Sequence, residues 1–175
     1  AYTEADPFIH AFLFEPKADL IASWRLFYGY DFLNDNRVIS ETAAADMESM
    51  LISYGSAWSS MDSEAVADMY AEDALRQDTL FDEHQNGISE IRAFAESFFA
   101  QYPDAQWTPL VMFGERGFSD KPQAIGSSYA IETTDPSGEV CEVMVVVLLH
   151  VFEGEIVQED LYYNADSLIQ CGWAE

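Results

Sequence analysis

Two hydrophobic periods follow one another along this chain. From Asp46 onward, Met47, Met50, Leu51, Tyr54, Ala57 and Trp58 recur every three or four residues, which predicts a helix with one stripe against a core. Asp62 and Ser63 supply the cap of a second helix, with Val66, Met69 and Tyr70 as its inner face and Ala71-Glu72-Asp73 as its end. Ala74 to Leu80 then reads as a strand and Phe81 to Gly87 as a polar loop. Ser89 is placed to cap a third helix, with Ile88, Ile91, Phe94, Ala95, Phe98 and Tyr102 as its stripe and Pro103 as its stop.

Beyond Pro103 the period falls to two. Trp107 to Gly114, Gln123 to Thr133, Val140 to Phe152 and Glu155 to Tyr163 read as four strands, with hairpin turns at Asp135-Pro-Ser-Gly138 and Glu153-Gly154. Helices followed by long antiparallel strands predict an α+β domain in which a curved sheet wraps one helical layer. The strand from Val140 to Phe152 is apolar on both faces between Val143 and Leu149, so it belongs at the centre of the sheet. Its outer face then meets either a second subunit or the N-terminal segment.

Residues 1 to 45 form an aromatic-rich extension ahead of this domain, which covers residues 46 to 175. Phe8, Phe12 and Phe14 precede Pro16, and Leu20, Ile21, Trp24, Phe27 and Tyr28 predict a short helix from about Ala18 to Tyr30. Such aromatics must pack on the domain, close its mouth or meet a dimer mate.

Charge narrows the range of partners. The 175 residues include 32 acidic and 7 basic side chains, for a formal net charge of −25. Nucleic acids and anionic membranes are bound through Lys and Arg, so neither is an expected partner. The acidic residues are spread along the chain, which suggests a salt-adapted source. No apolar run approaches the roughly 20 residues that span a bilayer. Cys141 and Cys171 match no metal or redox spacing, so no metal and no cofactor is expected. They read as separately packed thiols, with a bridge left open for an exported chain. The first residue is Ala1, which fits removal of a signal peptide or simple trimming. Export and the cytoplasm of a salt-adapted organism both stay open.

Chemistry is suggested first by Tyr54. A phenol in the middle of a buried stripe needs a partner for its hydroxyl or a cavity to point into, because a buried unpaired hydroxyl costs roughly 1–3 kcal/mol. The run Tyr54-Gly-Ser-Ala-Trp-Ser-Ser-Met-Asp62 through Tyr70-Ala-Glu-Asp73-Ala, then Gly87-Ile-Ser-Glu-Ile-Arg-Ala-Phe94, resembles the opening of the nuclear-transport-factor-2-like superfamily. The resemblance continues in Phe152-Glu-Gly154 to Tyr163-Asn164 and covers about residues 46 to 172. Ketosteroid isomerases, SnoaL-like polyketide cyclases, scytalone dehydratase and limonene epoxide hydrolase belong to that superfamily. It implies a cone-shaped, cystatin-like α+β barrel on three N-terminal helices, and commonly a homodimer through the open sheet face.

Aligned without a gap to the ketosteroid isomerase pattern, Tyr54 falls at the oxyanion-donating tyrosine and Asp78 at the proton-shuttling carboxylate. The position of that family's protonated aspartic acid is taken by Leu148, so half of its oxyanion hole is absent. The aspartate that SnoaL-like cyclases and the epoxide hydrolase use near the last strand's end corresponds to Asn164, and an amide cannot replace a carboxylate base. His84 and Glu159 are further acid–base candidates, with Asp160 beside the latter. The same register turns Glu159, Leu161 and Tyr163 inward. Trp58, Phe98, Trp107, Leu148, Tyr163 and Asn164 are the expected cavity lining. Arg76, on the same strand face as Asp78, is placed to pair with it and lower its pKa. The implied activity is acid–base catalysis on a small, mostly apolar carbonyl or polyketide-like molecule, as an isomerase, cyclase or dehydratase. The alternative is a non-catalytic ligand-binding or dimerisation module of the same fold.

Overall fold

The stripe that begins at Met47 builds α1 (Glu41–Ser59), in which Met47, Leu51, Tyr54 and Trp58 are buried and Ile52, Ser53 and Ser56 face outward. A computed structural model of the chain describes residues 28–29, 41–78, 83–114, 122–135 and 137–173. Gly55 lets α1 approach the sheet closely, since a Cβ there would lie 3.0 Å from the Tyr129 ring and 3.2 Å from the Trp107 carbonyl oxygen. Tyr129 donates its hydroxyl to the Leu51 carbonyl at 2.7 Å, tying helix to sheet. Asp62 caps α2 (Ser63–Ala67) by accepting from the Glu64 and Ala65 amides, in the role the sequence predicts.

Strand β2 (Tyr70–Asp78) starts where the sequence predicts the end of that second helix. Tyr70 pairs with Ile156, and a register irregularity between Tyr70 and Leu75 leaves Glu72 and Asp73 exposed. Met69 and Tyr70 therefore lie outside any helical face. The predicted polar loop contains a further strand, β3 (Glu83–Asn86), antiparallel to β2 with Arg76 opposite Gln85. Its polar side chains suit an edge strand with one side toward water. Ser89 is not the cap of α3 (Ile88–Gln101); the chain enters that helix through Gly87 at φ 80°. The Glu90 carboxylate accepts from the Asn86 amide at 2.7 Å instead.

The period-two region gives β4 (Gln106–Gly114), β5 (Gln123–Thr134), β6 (Val140–Phe152) and β7 (Glu155–Tyr163). Glu153 and Gly154, at φ 52° and 90°, make the tight turn between the last two. A short helix, α4 (Ala165–Gln170), follows and has no counterpart in the sequence prediction. At the other end, Tyr28–Gly29 forms β1 on the edge of β4, where Tyr28 meets Gly114 and Gly29 meets Phe113. The helix expected from Ala18 to Tyr30 is thus a strand at these two positions. Its remainder, like the aromatics at 8 to 27, lies outside the described residues.

The sheet order is β1-β4-β5-β6-β7-β2-β3. Every neighbouring pair is antiparallel except β2 and β7, so the expected antiparallel sheet is in fact mixed. β6 is central, with Val143, Val145, Val147 and Leu149 buried on the inner face and Met144, Val146, Leu148 and His150 half-buried on the outer one. Cys141 and Cys171 are joined in a disulfide, Cα to Cα 5.6 Å, which fastens the end of α4 to the start of β6. Among the described residues, no helix is long and apolar enough to cross a membrane.

Candidate functional site

Strand parity brings Glu159 into the interior. In the β6–β7 register Glu159 stands opposite Leu149, Leu161 opposite Val147 and Tyr163 opposite Val145, all on the inner face. Glu159 is fully buried, and the chain supplies it with donors from two directions. The Tyr54 hydroxyl, from the middle of α1, donates to Oε1 at 2.5 Å. The Tyr70 hydroxyl, from the first residue of β2, donates to Oε2.

The opposite charge is Arg76, which the parallel β2–β7 pairing places directly across from Glu159. Its Nε lies 3.4 Å from Glu159 Oε2, near enough for strong attraction but without hydrogen-bond geometry. Nη1 donates to Gln85 Oε1 at 2.8 Å. The guanidinium carbon lies 4.0 Å from the centre of the Phe94 ring and 5.5 Å from that of Trp58. Arg76 is 1% exposed, so its charge is balanced inside the protein rather than by water.

Burial pushes the Glu159 pKa upward, against Arg76 and the two tyrosine hydrogen bonds, which pull it down. Burial raises the pKa of Tyr54 and of Tyr70, with the Glu159 charge adding to it, so both remain donors at neutral pH. Burial opposes the Arg76 charge, but Glu159, then Tyr163, Tyr54 and Tyr70, outweigh it and lift its pKa above the ordinary guanidinium value. The site therefore holds a permanent cation, permanent phenol donors and one carboxyl that is easier to protonate than usual.

Asp78 lies on the same inner face of β2, two residues beyond Arg76, and is 4% exposed. The half-buried Tyr163 hydrogen-bonds to it and also feels the charges of Arg76 and Glu159. Tyr54 and Asp78 thus belong to one network through Arg76 and Tyr163, while the hydroxyl of Tyr54 is bonded to Glu159. Trp58, Phe98 and Trp107 form an aromatic wall: Trp58 stacks on Trp107 at 5.4 Å, Phe98 meets both edge-on, and both indoles flank the Tyr54 ring at about 6 Å. Among the described residues, the indole N–H groups of Trp58 and Trp107 are buried without hydrogen-bond geometry to an acceptor, that of Trp58 close to the Tyr70 hydroxyl.

Three expected site residues lie elsewhere. Leu148 stands opposite Asp160 on the outer face of the sheet, because a one-residue step along a strand reverses the side. Its inward neighbours, Val147 and Leu149, are equally apolar. His84 is exposed on β3 opposite Gln77, away from the face that carries Arg76 and Asp78. Asn164 is an exposed helix cap whose Oδ1 accepts from the Ser167 amide at 3.2 Å. Asp160 turns outward, with His150 Nε2 3.6 Å from one carboxylate oxygen and Gln158 Nε2 within 3.1 Å of both. Two members of the inner cluster escape the sequence reading. Tyr70 is hidden by the helical spacing of Val66, Met69 and Tyr70, and Gln85 by the low strand propensity of its segment. Among the described residues, no group of three His, Cys, Asp or Glu could hold a metal ion.

No curated protein matches the chain in sequence. Solved structures match in fold. A Catenulispora acidiphila protein with a ketosteroid isomerase-like fold, solved with trimethylamine, is 18% identical over 70% of this chain and 92% of its own, with TM-score 0.60. A Xanthomonas campestris protein named as a candidate polyketide cyclase is 18% identical over 73% and 96%, TM-score 0.60. SalBIII, an epoxide hydrolase/cyclase-like enzyme of pyran ring formation in salinomycin, is 17% identical over 70% and 94%, TM-score 0.58. At such identities these likenesses establish the fold alone. The model of the SnoaL-like domain matches residues 52–159, more than half of the chain and including Tyr54, Tyr70, Arg76, Asp78 and Glu159. On that match, the chain belongs to the SnoaL-like domain family.

Proposed function

We propose that this chain is an acid–base enzyme acting on a small, mostly apolar carbonyl or polyketide-like molecule, with Glu159 as its proton-transfer group. The observation that carries this reading is a fully buried carboxyl held by two tyrosine hydroxyls and one guanidinium. Such a group is costly to bury, and its raised pKa brings it nearer to working pH. In the proposed step, the Glu159 carboxylate takes a proton from the carbon next to the carbonyl, and the electron pair moves to the carbonyl oxygen as an enolate. Protonation turns one carboxylate oxygen into a hydroxyl. The tyrosine that bonded it, Tyr54 or Tyr70, is then free to donate to the enolate oxygen. Returning the proton to another carbon gives isomerisation; giving it to a β-hydroxyl that leaves as water gives dehydration; attack of the enolate carbon on a second carbonyl, whose oxygen takes the proton, gives ring closure.

Asp78, hydrogen-bonded by Tyr163, is the second proton-transfer candidate, and Trp58, Phe98 and Trp107 supply the apolar wall. A thermal-shift screen of cyclic enones, polyketide-like aromatics and epoxides comes first, followed by kinetics of Glu159→Gln and Asp78→Asn. Loss of turnover in Glu159→Gln alone supports the proposal; loss in Asp78→Asn alone transfers the role to Asp78; full turnover in both removes both carboxyls from the mechanism, and wild-type protein that turns over none of the ligands it binds ends the enzyme reading. A second reading, a non-catalytic ligand-binding module, is favoured by the bonding of both Glu159 oxygens within the chain itself. For assembly we propose a homodimer through the half-buried outer face of β6 around Met144, Val146 and Leu148. Light scattering that gives a monomer mass at micromolar concentration would rule it out.

A further inference from the structure

The C-terminal turn meets the aromatic wall at Phe98. Leu168 of α4 is buried in the core, Cys171 closes the disulfide to Cys141, and the Trp173 amide donates to the Leu168 carbonyl at 2.9 Å. The Trp173 ring stacks on Tyr102, centroids 4.3 Å apart, and meets Phe98 edge-on at 5.7 Å. Phe98 in turn touches Trp58 and Trp107, the two indoles that flank Tyr54. An unbroken row of rings thus runs from Trp173 to the tyrosine that holds Glu159.

What keeps this turn in place is limited. A six-residue helix is too short to persist alone, so α4 depends on tertiary anchors. Its polar anchors to β6 are the Asn164 amide on the Met144 carbonyl at 3.0 Å and the Met144 amide on Ser167 Oγ at 3.1 Å, both before Leu168. The indole N–H of Trp173 is buried with no acceptor among the described residues, and the ring packs on Tyr102 and Phe98. Beyond Leu168 the disulfide is the one covalent constraint.

We propose that residues 168 to 173 form a redox-releasable cover over the Phe98–Trp58–Trp107 wall, with the Cys141–Cys171 bridge as its clasp, and that lifting it admits ligands toward Glu159. The admission clause rests on Glu159 being the site; the cover itself does not. Release is a two-electron step in which the S–S bond breaks: a phosphine is oxidised to its oxide with the oxygen of water, whose two protons complete the Cys141 and Cys171 thiols, or a dithiol closes to its own disulfide and supplies both protons. An oxidising compartment keeps the cover clasped.

The test compares the full chain oxidised and after phosphine reduction, without denaturant, by amide hydrogen exchange and acrylamide quenching of tryptophan fluorescence. Reduction is expected to speed exchange at 166–173 and 98–102 at least tenfold, to leave β5, β6 and β7 protected, and to make buried tryptophans quenchable. Trp173→Ala is expected to speed exchange at 98–102 with the bridge intact. Unchanged exchange at 98–102 in both samples overturns the proposal. So does a loss of protection in β5, β6 and β7 on reduction as large as that at 98–102, which would make the bridge a global staple and not a local clasp. Neither readout requires turnover, so the same experiment on Glu159→Gln separates the two ideas. Opening in a variant whose turnover equals wild type removes only the role of Glu159, whereas catalysis by Glu159 beneath a turn that never opens removes only the cover.

Discussion

Glu159 and Asp160 are neighbours on β7 and point to opposite faces of the sheet. Glu159 meets Tyr54 from a helix and Tyr70 and Arg76 from the adjacent strand, all buried. Asp160 meets His150 and Gln158 from its own face, where the side chains of the His150–Asp160 pair keep 15% and 11% of their surface. Removing the inner carboxyl strands a buried guanidinium, while removing the outer one leaves groups that water can reach. The contrast shows that a carboxylate's role here follows from what the other layers aim at it.

The largest expected effect is therefore on the inner side. Glu159→Ala should destabilise the fold by about 3–5 kcal/mol through the unpaired Arg76, against about 1 kcal/mol or less for Asp160→Ala, both read from urea unfolding. In turnover, Glu159→Gln should lose about 10²–10⁴-fold and Asp160→Asn only a few-fold; equal losses would erase the contrast. Next comes the bridge, whose loop spans 30 residues, so Cys171→Ser should lower stability by roughly 2–4 kcal/mol.

Tyr54→Phe and Tyr70→Phe should each cost about 1–3 kcal/mol, and their double mutant less than the sum, because both act on one carboxyl. The pH dependence has a definite sign. The folded pKa of Glu159 lies above its ordinary value of 4.5, so between the two the folded state binds the extra proton. Stability from this group is complete below about 4.5 and is lost as pH rises through the folded value. Relative to wild type, Glu159→Gln should gain stability across that window and stay parallel above it. The smallest effect concerns the surface: with net charge −25, added salt should raise the melting midpoint of wild type and both carboxylate variants alike.

Much of the fold is legible in the sequence because its layers obey simple periods. The Tyr54 stripe follows from spacing alone, and the inward turn of Glu159, Leu161 and Tyr163 from the strand register that the family resemblance implies. Tyr70 does not, since a residue at the junction of a helix and a strand fits both periods and only its pairing with Ile156 decides. Gln85 is missed for a related reason: an edge strand of Glu-His-Gln-Asn carries no apolar alternation to mark it. Leu148 is misplaced by parity, because an ungapped alignment that slips by one residue exchanges the faces of a strand. The expected pairing of Arg76 with Asp78 overlooks Glu159, which is 83 positions away from Arg76 in sequence and directly opposite it in the parallel pair.

Whether Glu159 is a buried carboxyl poised to exchange a proton is decided by its own titration. Carboxyl carbon NMR of the labelled protein, assigned by the signal missing in Glu159→Gln, follows this group across the pH range in which the fold persists. The midpoint is expected above the ordinary carboxylate range, moving further upward in Tyr54→Phe and Tyr70→Phe as the donors that hold it down are removed. A midpoint at or below the ordinary range, unmoved in those variants, would contradict that role.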